Sequence, residues 1–319
     1  MKNKGIIIFL IVLAVIIVAV IAGDYISKRP DKSEANPYEY NIDEFKDVDE
    51  ELVLYKETKN FKIGFEEPSA ITIANDKIFV SGDAKIKVID LSGTLLNEIK
   101  LPENPNSIEI SGDTVFVAFE NKIEILSDKG DELMKWDIPE ENTFITSLVV
   151  AGKNVFVADA GKRRIIRFSV SGGKMTEFEG KSGDNVIHGF IIPSPYFDVD
   201  INSEGELWVT NPGIHALENY TFDGNLRAYW ENTSMKIDGF SGCCNPAHFT
   251  FLPDGSFVTS EKGLVRIKVH KPSGELQGVV AAPVKFNNED EAPDLAVDGA
   301  GNIYALDFER KMIRVFELK

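Results

Sequence analysis

The chain is poor in cysteine, histidine and basic residues. Its 319 residues include two cysteines, four histidines, and 34 Lys and Arg against 51 Asp and Glu, for a formal net charge of −17. A surface this acidic repels phosphate backbones, so we expect no nucleic-acid partner. The sequence also has no nucleophile elbow, phosphate-binding glycine loop or HExxH motif. Cations, basic proteins and small molecules remain as ligands.

The N-terminus carries one long apolar run. From Gly5 to Gly23 there are 19 uncharged residues, and a helix of that length spans about 28 Å of hydrocarbon. A cleaved signal peptide is the alternative, with Val20 and Ala22 as small residues before the cut. The run exceeds the usual apolar stretch of a signal peptide, and no cysteine directly follows it for lipoprotein processing. We therefore predict a membrane anchor helix, a signal-anchor, over residues 1–23.

The side of the membrane on which the body lies is harder to predict. Basic residues flank the run on both sides, so the positive-inside count does not decide: Lys2 and Lys4, then Lys28, Arg29 and Lys32. A short basic tail before the first apolar run usually stays in the cytoplasm, which places the body on the extracytoplasmic side, periplasmic or outer. Residues 24–50 are polar and acidic with few large apolar side chains, and predict a flexible tether.

Internal repeats dominate the chain from residue 51 onward. Six alternating strands each precede an apolar–aromatic–apolar strand, a polar turn and a second alternating strand, and they recur at spacings of 37 to 51 residues. This repeat predicts an all-β, six-bladed β-propeller over residues 51–319, with four strands in each blade. The last repeat ends after three strands, and the alternating segment 51–65 supplies its fourth. Closure by both termini leaves the ring without an open gap.

The repeat grammar resembles that of NHL-repeat proteins, most closely in "VFVADAGKRRIIRF" over residues 155–168. The resemblance implies a propeller fold, and relatives include binding modules, lactonase-like hydrolases and the amidating lyase of peptide hormones. The stretch around "GCCNPAHF" further resembles a bacterial subgroup of NHL-type proteins with the motif GCCNPxH. That second resemblance implies no particular activity.

Unusual residues concentrate in the loops of one face. In a propeller, the turn between the second and third strands lies on the same face as the crossing to the next blade. From the third blade onward these loops are long and polar, which favours a ligand or partner site there, although long loops also diverge without a function. The candidate residues are His188, Asn211, His215, Cys243, Cys244, Asn245, His248, Glu261, Lys262, Asn287, Glu289, Asp290 and Glu291.

The entrances of the innermost strands predict what faces the central channel. Alignment of the repeats gives one equivalent position occupied by Ala70, Ser107, Ser147, Asp198, His248 and Asp294. Two residues further on, the same strand face carries Thr72, Glu109, Val149, Asp200, Thr250 and Ala296.

Three of the entrance residues form a possible metal site. Asp198, His248 and Asp294 fall on three consecutive blades and suit a divalent cation such as zinc, manganese or calcium. In the amidating lyase, histidines at such entrances bind zinc. The resemblance extends to His248, whereas the two aspartates depart from the three-histidine pattern. Alternatively, these carboxylates bind only water and backbone amides.

The adjacent cysteines match neither the CxxCH pattern of haem attachment nor paired CxxC zinc motifs. Outside the cytoplasm, Cys243 and Cys244 are expected to form a vicinal disulfide that shapes a rigid turn or contacts a ligand. Free thiols with redox or metal chemistry are the alternative, and inert packing is a third. In each case the following Asn245-Pro246 turn directs His248 into the channel.

Three functions are compatible with this pattern. The preferred interpretation is a membrane-tethered propeller that binds a ligand or protein partner at its loop-rich face. The second is a metal-dependent hydrolase or lyase, in which His188 or His215 acts as general base on a bound water. The third is a redox accessory protein that uses the cysteine pair. We expect the remaining histidine, His270, to lie on the surface.

Overall fold

The computed structural model describes residues 4–27, 42–180, 189–287 and 291–319. The chain divides into two compact units, one before and one after the boundary between Asn41 and Ile42. The described part of the first unit is one α-helix, α1 (Lys4–Ser27). It contains a 20-residue apolar segment, Lys4–Gly23, with a mean hydropathy of 3.5. A helix of this length and composition fits a membrane anchor or a signal sequence.

The second unit is a ring of six four-stranded antiparallel sheets, which we number as blades 1 to 6. Blade 6 joins the two ends of the chain, because β1 (Tyr55–Lys62) pairs with the last strand. Its other strands are β22 (Asp294–Val297), β23 (Ile303–Asp307) and β24 (Met312–Leu318). The prediction of an all-β, six-bladed propeller closed by an N-terminal strand is confirmed.

The strands of the first three blades follow the chain from the inside of the ring to its edge. Blade 1 has β2 (Pro68–Ala74), β3 (Lys77–Gly82), β4 (Lys85–Asp90) and β5 (Leu95–Lys100). Blade 2 has β6 (Ser107–Ser111), β7 (Thr114–Ala118), β8 (Lys122–Ser127) and β9 (Glu132–Asp137). Blade 3 has β10 (Ile145–Ala151), β11 (Asn154–Asp159), β12 (Arg164–Ser169) and β13 (Lys174–Phe178).

Blades 4 and 5 have the same order of strands and carry most of the predicted site residues. Blade 4 has β14 (Val199–Ile201), β15 (Leu207–Asn211), β16 (Ala216–Tyr220) and β17 (Leu226–Glu231). Blade 5 has β18 (His248–Phe251), β19 (Phe257–Glu261), β20 (Arg266–His270) and β21 (Leu276–Ala281). Short 3₁₀ turns occur at Ile42–Phe45, Glu50–Leu52, Pro212–Ile214 and Pro283–Lys285.

The core lies between blades. Each apolar cluster in the described residues draws its side chains from two neighbouring sheets, as where Trp208 of blade 4 packs with Phe249 and Phe257 of blade 5. The second strand of a blade is buried on both faces, and β15 and β19 have every residue buried. A strand buried on both faces reads as an unbroken apolar run, which explains the "LWV" and "IFV" segments of the repeats.

The repeated turn glycine has a packing role. Gly172, between β12 and β13, has φ +92°, and a Cβ placed there would lie 2.7 Å from Cδ1 of Trp136 in blade 2. Glycine tolerates this left-handed conformation and leaves room for the ring. The third blade therefore contacts the outer strand of the second through a position that admits no side chain.

His270 corrects one expectation from the sequence. It is fully buried, not on the surface, and its ring packs at a tilt against those of Trp230 and Phe240, with centroids 5.0 and 5.4 Å away. Burial, with a smaller contribution from the charge of Lys268, lowers the pKa of His270 to about 3. The surface prediction was wrong because the crossing from blade 4 to blade 5, residues 232–247, covers this face of β20. Strand alternation alone does not predict that covering segment.

Candidate functional site

The innermost strands enclose a central channel with a volume of about 370 Å³. Both rows of residues predicted from the repeat alignment line it. Its acidic groups are Glu109, Asp198, Asp200, Asp294 and Asp298, and among the described lining residues none is Lys or Arg. His248 is therefore the one lining side chain, within that set, that can carry a positive charge near neutral pH.

The structure brings the three predicted metal-site residues together. Nδ1 of His248 lies 3.6 Å from Oδ1 of Asp294 and 3.9 Å from Oδ2 of Asp198. The three side chains come from blades 5, 6 and 4, as the alignment predicts. The imidazole is 23% exposed, so it sits at the mouth of the channel rather than in the core.

Both aspartates already hydrogen-bond to the backbone. Asp198 accepts from the N–H of Val199 and, across the blade boundary, from that of Phe249, each at 2.9 Å. Asp294 accepts from Leu295 and from Ile71 of blade 1, also at 2.9 Å. Burial raises the pKa of each carboxyl, and the nearby His248 opposes the shift.

These hydrogen bonds bear on the predicted metal. Each carboxylate oxygen accepts a hydrogen bond from a backbone N–H. The arrangement therefore fits the alternative in which the aspartates bind backbone amides and link blades. Within the described ranges, no group of three or more His, Cys, Asp or Glu side chains is arranged to hold a metal ion. The divalent-metal site thus stays a prediction from the sequence.

Two further carboxyl groups, on blades 2 and 4, line the channel two residues along the inner strands from the entrance row. Glu109 accepts a hydrogen bond from the Thr72 hydroxyl at 3.2 Å. Burial, and then the charge of Asp200, raises the pKa of Glu109 to about 8. Burial also raises the pKa of Asp200 to about 7, with the Ile201 amide opposing it. The alignment places both residues in the channel, but it gives no sign that they titrate near neutral pH.

The rim contains a residue that the sequence analysis missed. Tyr196, in the crossing to blade 4, sets its ring edge-on to His248 at 5.5 Å. The Nζ of Lys262 lies 4.9 Å from the centre of the same ring, in a cation–π contact. An aromatic residue within the long "IIPSPYFD" crossing was the available signal. Tyr196, His248 and Lys262 are each half-buried and form one continuous patch, which we call the rim patch.

The cysteine pair adjoins this patch. Cys243 is exposed and Cys244 is buried, both are free thiols, and their Sγ atoms lie 2.9 Å apart. The charge of Lys262 acts on the Cys244 sulfur electrostatically. The predicted vicinal disulfide stays a prediction.

Asn245 and His215 hold the cysteine loop from within. The Asn245 amide donates to the carbonyls of Ser241 and Lys262 and accepts from the Lys262 N–H at 2.9 Å. The Nε2 of His215 donates to the Gly242 carbonyl at 2.6 Å, and its Nδ1 bonds to the Thr233 hydroxyl at 2.8 Å. Both ring nitrogens are thus engaged, which opposes the predicted role of His215 as general base.

Two other predicted ligand-binding residues are buried supports. Asn211 is 1% exposed and bonds to the Ile191 N–H and the Glu218 carboxylate. Glu261 is fully buried and pairs with Arg266 at 2.7 Å and with Lys268 at 2.9 Å. Both cations also donate to the Gly239 carbonyl.

The remaining loop candidates lie apart or are not described. His188, Glu289 and Asp290 fall outside the described residues. Asn287 is exposed and accepts a hydrogen bond from Arg310, and Glu291 is exposed. Among the candidates between Asn211 and Lys262, the accessible side chains are therefore Cys243, His248 and Lys262.

Comparisons with known proteins identify the fold. No protein-family model and no curated protein matches the chain. Among solved structures, a streptogramin B lyase matches at a TM-score of 0.58 and 15% identity, over 83% of this chain and 98% of that one. Virginiamycin B lyase from Staphylococcus aureus matches at 0.57 and 17%, over 83% and 100%. A protein of unknown function from Bacteroides thetaiotaomicron VPI-5482 matches at 0.59 and 13%, over 80% and 70%. At these identities the similarity shows that the chain has a propeller fold.

Proposed function

We propose that the chain is a membrane-tethered, extracytoplasmic propeller that binds a ligand at the mouth of its central channel. The ligand is a small molecule or an exposed segment of a protein partner. The observation that carries this proposal is the position of His248, which is half-buried at the opening of an acidic channel and next to the accessible Tyr196 ring. A concave site with a few convergent polar groups is the usual form of a ligand pocket.

The charges of the channel specify the ligand chemistry. Behind His248 the titratable lining groups are carboxyl groups, and the described lining contains neither Lys nor Arg. A ligand that extends a cationic amine or guanidinium group into the channel gains electrostatic energy there and contacts the Tyr196 ring on the way. An anionic ligand is repelled. The cationic end of a peptide side chain and a free polyamine share this chemistry.

Calorimetric titration of the full chain in detergent tests the binding proposal. The probe is the diamine putrescine, with the uncharged butanediol as its matched control. Putrescine is expected to bind, and butanediol is not. Asp200→Asn should weaken putrescine binding about tenfold, because it removes a carboxyl group whose ionised form the bound cation favours. Glu275→Gln, at an exposed carboxylate outside the channel, should leave binding unchanged. Equal binding of the two probes, or an unaffected Asp200→Asn variant, would refute the proposal.

The side of the membrane has its own test. Cys243 is the exposed cysteine of the pair, so a membrane-impermeant maleimide added to intact, mildly reduced cells should label the full chain. Cys243→Ser should abolish the label. Labelling only after cell lysis would place the propeller on the cytoplasmic side and overturn the proposed topology.

The hydrolase or lyase alternative has weaker support. Solved structures of similar fold include lyases, but the similarity extends to the fold alone. Of its two proposed general bases, His215 uses both ring nitrogens within the protein, and His188 lies outside the described residues. Binding at the channel mouth needs neither of them.

A further inference from the structure

The two cysteines of the Cys243–Cys244 pair differ in solvent exposure, and the proposed ligand binding does not require this difference. Cys243 is exposed, whereas the side chain of Cys244 is fully buried. Their sulfur atoms are 2.9 Å apart, so a bond between them needs an approach of about 0.9 Å. One sulfur is therefore accessible to another molecule, and the second is accessible mainly to the first.

The loop that carries the pair is held at several points. Gly239 receives hydrogen bonds from the buried Arg266 and Lys268, and Gly242 receives one from His215. On the other side of the pair, Asn245 bonds to both the N–H and the carbonyl of Lys262. These contacts come from the blade 4 and blade 5 turns and from β20. They fix the two cysteines relative to the rim patch while leaving the outer sulfur exposed.

The surroundings of the inner sulfur set its protonation at rest. Burial, together with the neighbouring Cys243 thiol, raises the pKa of Cys244, so this group rests as a protonated thiol. The charge of Lys262 acts in the opposite direction and favours its thiolate. A thiolate formed at Cys244 during exchange is thus supported by a cation that is already in place.

We propose that Cys243 and Cys244 form a thiol–disulfide couple that exchanges electrons with a low-molecular-weight thiol–disulfide pair. The Cys243 thiolate attacks one sulfur of the small disulfide, whose S–S bond breaks, and one small thiol leaves with a proton. Cys244 then loses its proton and attacks the Cys243 sulfur, which expels the second small thiol and forms the Cys243–Cys244 bond. Two electrons pass to the small disulfide, and the two protein protons end on two small thiols.

Adjacency makes the couple reversible. The Cα atoms of neighbouring residues are about 3.8 Å apart, which is below the usual separation in a disulfide. A ring closed between neighbours is therefore strained and is reduced more easily than a relaxed disulfide. A small thiol that attacks Cys243 returns the pair to two thiols through the same mixed disulfide, with Cys244 as the leaving group.

Intact-mass analysis of the full chain in detergent tests the couple, with glutathione disulfide as the probe. The wild type should lose two hydrogens and retain no glutathione. Cys244→Ser should stop at one glutathione adduct, because no resolving thiol remains. Cys243→Ser should react at least about tenfold more slowly, since its remaining thiol is buried. Lys262→Met should slow the second step while leaving the first unchanged.

Three results would overturn the proposal. In the first, the wild type accumulates the glutathione adduct. In the second, Cys243→Ser reacts as fast as Cys244→Ser. In the third, excess glutathione fails to reduce the oxidised pair. If a variant fails to fold, the wild type itself gives the answer. Brief alkylation and peptide mapping should find Cys243 labelled before Cys244, and equal labelling would refute the assigned order. Putrescine binding does not enter this test, so the two proposals fail independently.

Discussion

The carboxylate of Asp294 in the last blade accepts a 2.9 Å hydrogen bond from the backbone N–H of Ile71 in the first, 223 residues away in the chain. Asp198 makes the equivalent bond to Phe249 in the next blade. The ring is thus closed twice: at its outer edge by β1, which pairs with β24, and at its inner edge by Asp294. The channel aspartates have a structural role that does not depend on any ligand.

Replacement of Asp294 by alanine should therefore weaken the closure of the ring. Two backbone N–H groups, those of Ile71 and Leu295, lose their acceptor in a half-buried position. The expected loss is about 1–3 kcal/mol in the free energy of unfolding, measured by urea denaturation of the full chain in detergent at neutral pH. Asp294→Asn keeps one acceptor oxygen and should lose less. A loss below about 0.5 kcal/mol for Asp294→Ala would show that the bond is not structural.

The repeats explain why the fold could be predicted. Period-2 alternation recurs in every blade and the turn glycine in five of the six, and each blade needs only its neighbours to bury its faces. The same regularity makes equivalent positions comparable, so alignment of the repeats is enough to predict that Asp198, His248 and Asp294 meet at the channel mouth. Local pattern and global fold agree over this part of the chain.

The rim and the buried polar groups could not be predicted in the same way. Tyr196 and Cys243 lie in crossings of irregular length, whose paths no period specifies. Glu261 and His270 look solvent-exposed because they are polar, yet both are buried beneath segments of blade 4. Their cover comes from the crossing that follows blade 4, where Gly239 accepts from Lys268 and Phe240 contacts His270. The repeat of blade 5 contains no record of that segment.

Packing at the turn glycine gives a second prediction. Gly172→Ala should be more destabilising than Gly255→Ala. Both glycines have a left-handed φ, +92° and +85°, so both variants carry backbone strain of about 1 kcal/mol or more. Only at Gly172 would the added Cβ meet a neighbour, Cδ1 of Trp136 at 2.7 Å. The overpacking should add about 1–3 kcal/mol in urea unfolding. Equal losses for the two variants would mean that the blade contact at Trp136 is freely adjustable.

The buried charges of blade 5 give a third prediction. In Glu261→Gln, the fully buried Arg266 and Lys268 lose the carboxylate that neutralises them. Removing one partner of such a cluster typically costs about 3–5 kcal/mol, because a buried charge is left uncompensated. The matched control is Glu275→Gln, which breaks the exposed pair with Lys271 and should change unfolding by less than about 0.5 kcal/mol. A loss below about 1 kcal/mol for Glu261→Gln would mean that the cluster sheds its charge by deprotonating Lys268, whose pKa burial already lowers to about 8.

The channel carboxyl groups predict how stability depends on pH. Glu109 and Asp200 have pKa values raised to about 8 and about 7, so between their unfolded and folded values the folded state binds more protons. Stability contributed by these groups is therefore present at low pH and is lost as the pH rises through the folded values. His270, with its pKa lowered to about 3, gives the opposite slope below its unfolded value of 6.5. The informative window lies above that value, from about pH 6.5 to 8.

Between these pH values the free energy of unfolding of the wild type should fall by on the order of 1–2 kcal/mol. It is measured by urea unfolding of the full chain at a series of pH values. The double variant Glu109→Gln, Asp200→Asn should lose little, since neither replacement side chain titrates. The difference between the two slopes isolates the channel pair from every other titrating group, because both proteins share the rest. Parallel curves would contradict the assignment and would mean that water in the channel solvates the two carboxylates fully. If the unfolding free energy of the wild type falls more steeply with pH than that of the double variant, putrescine should reduce its slope. That result would link the same two groups to the cationic ligand, because a bound cation favours their ionised forms.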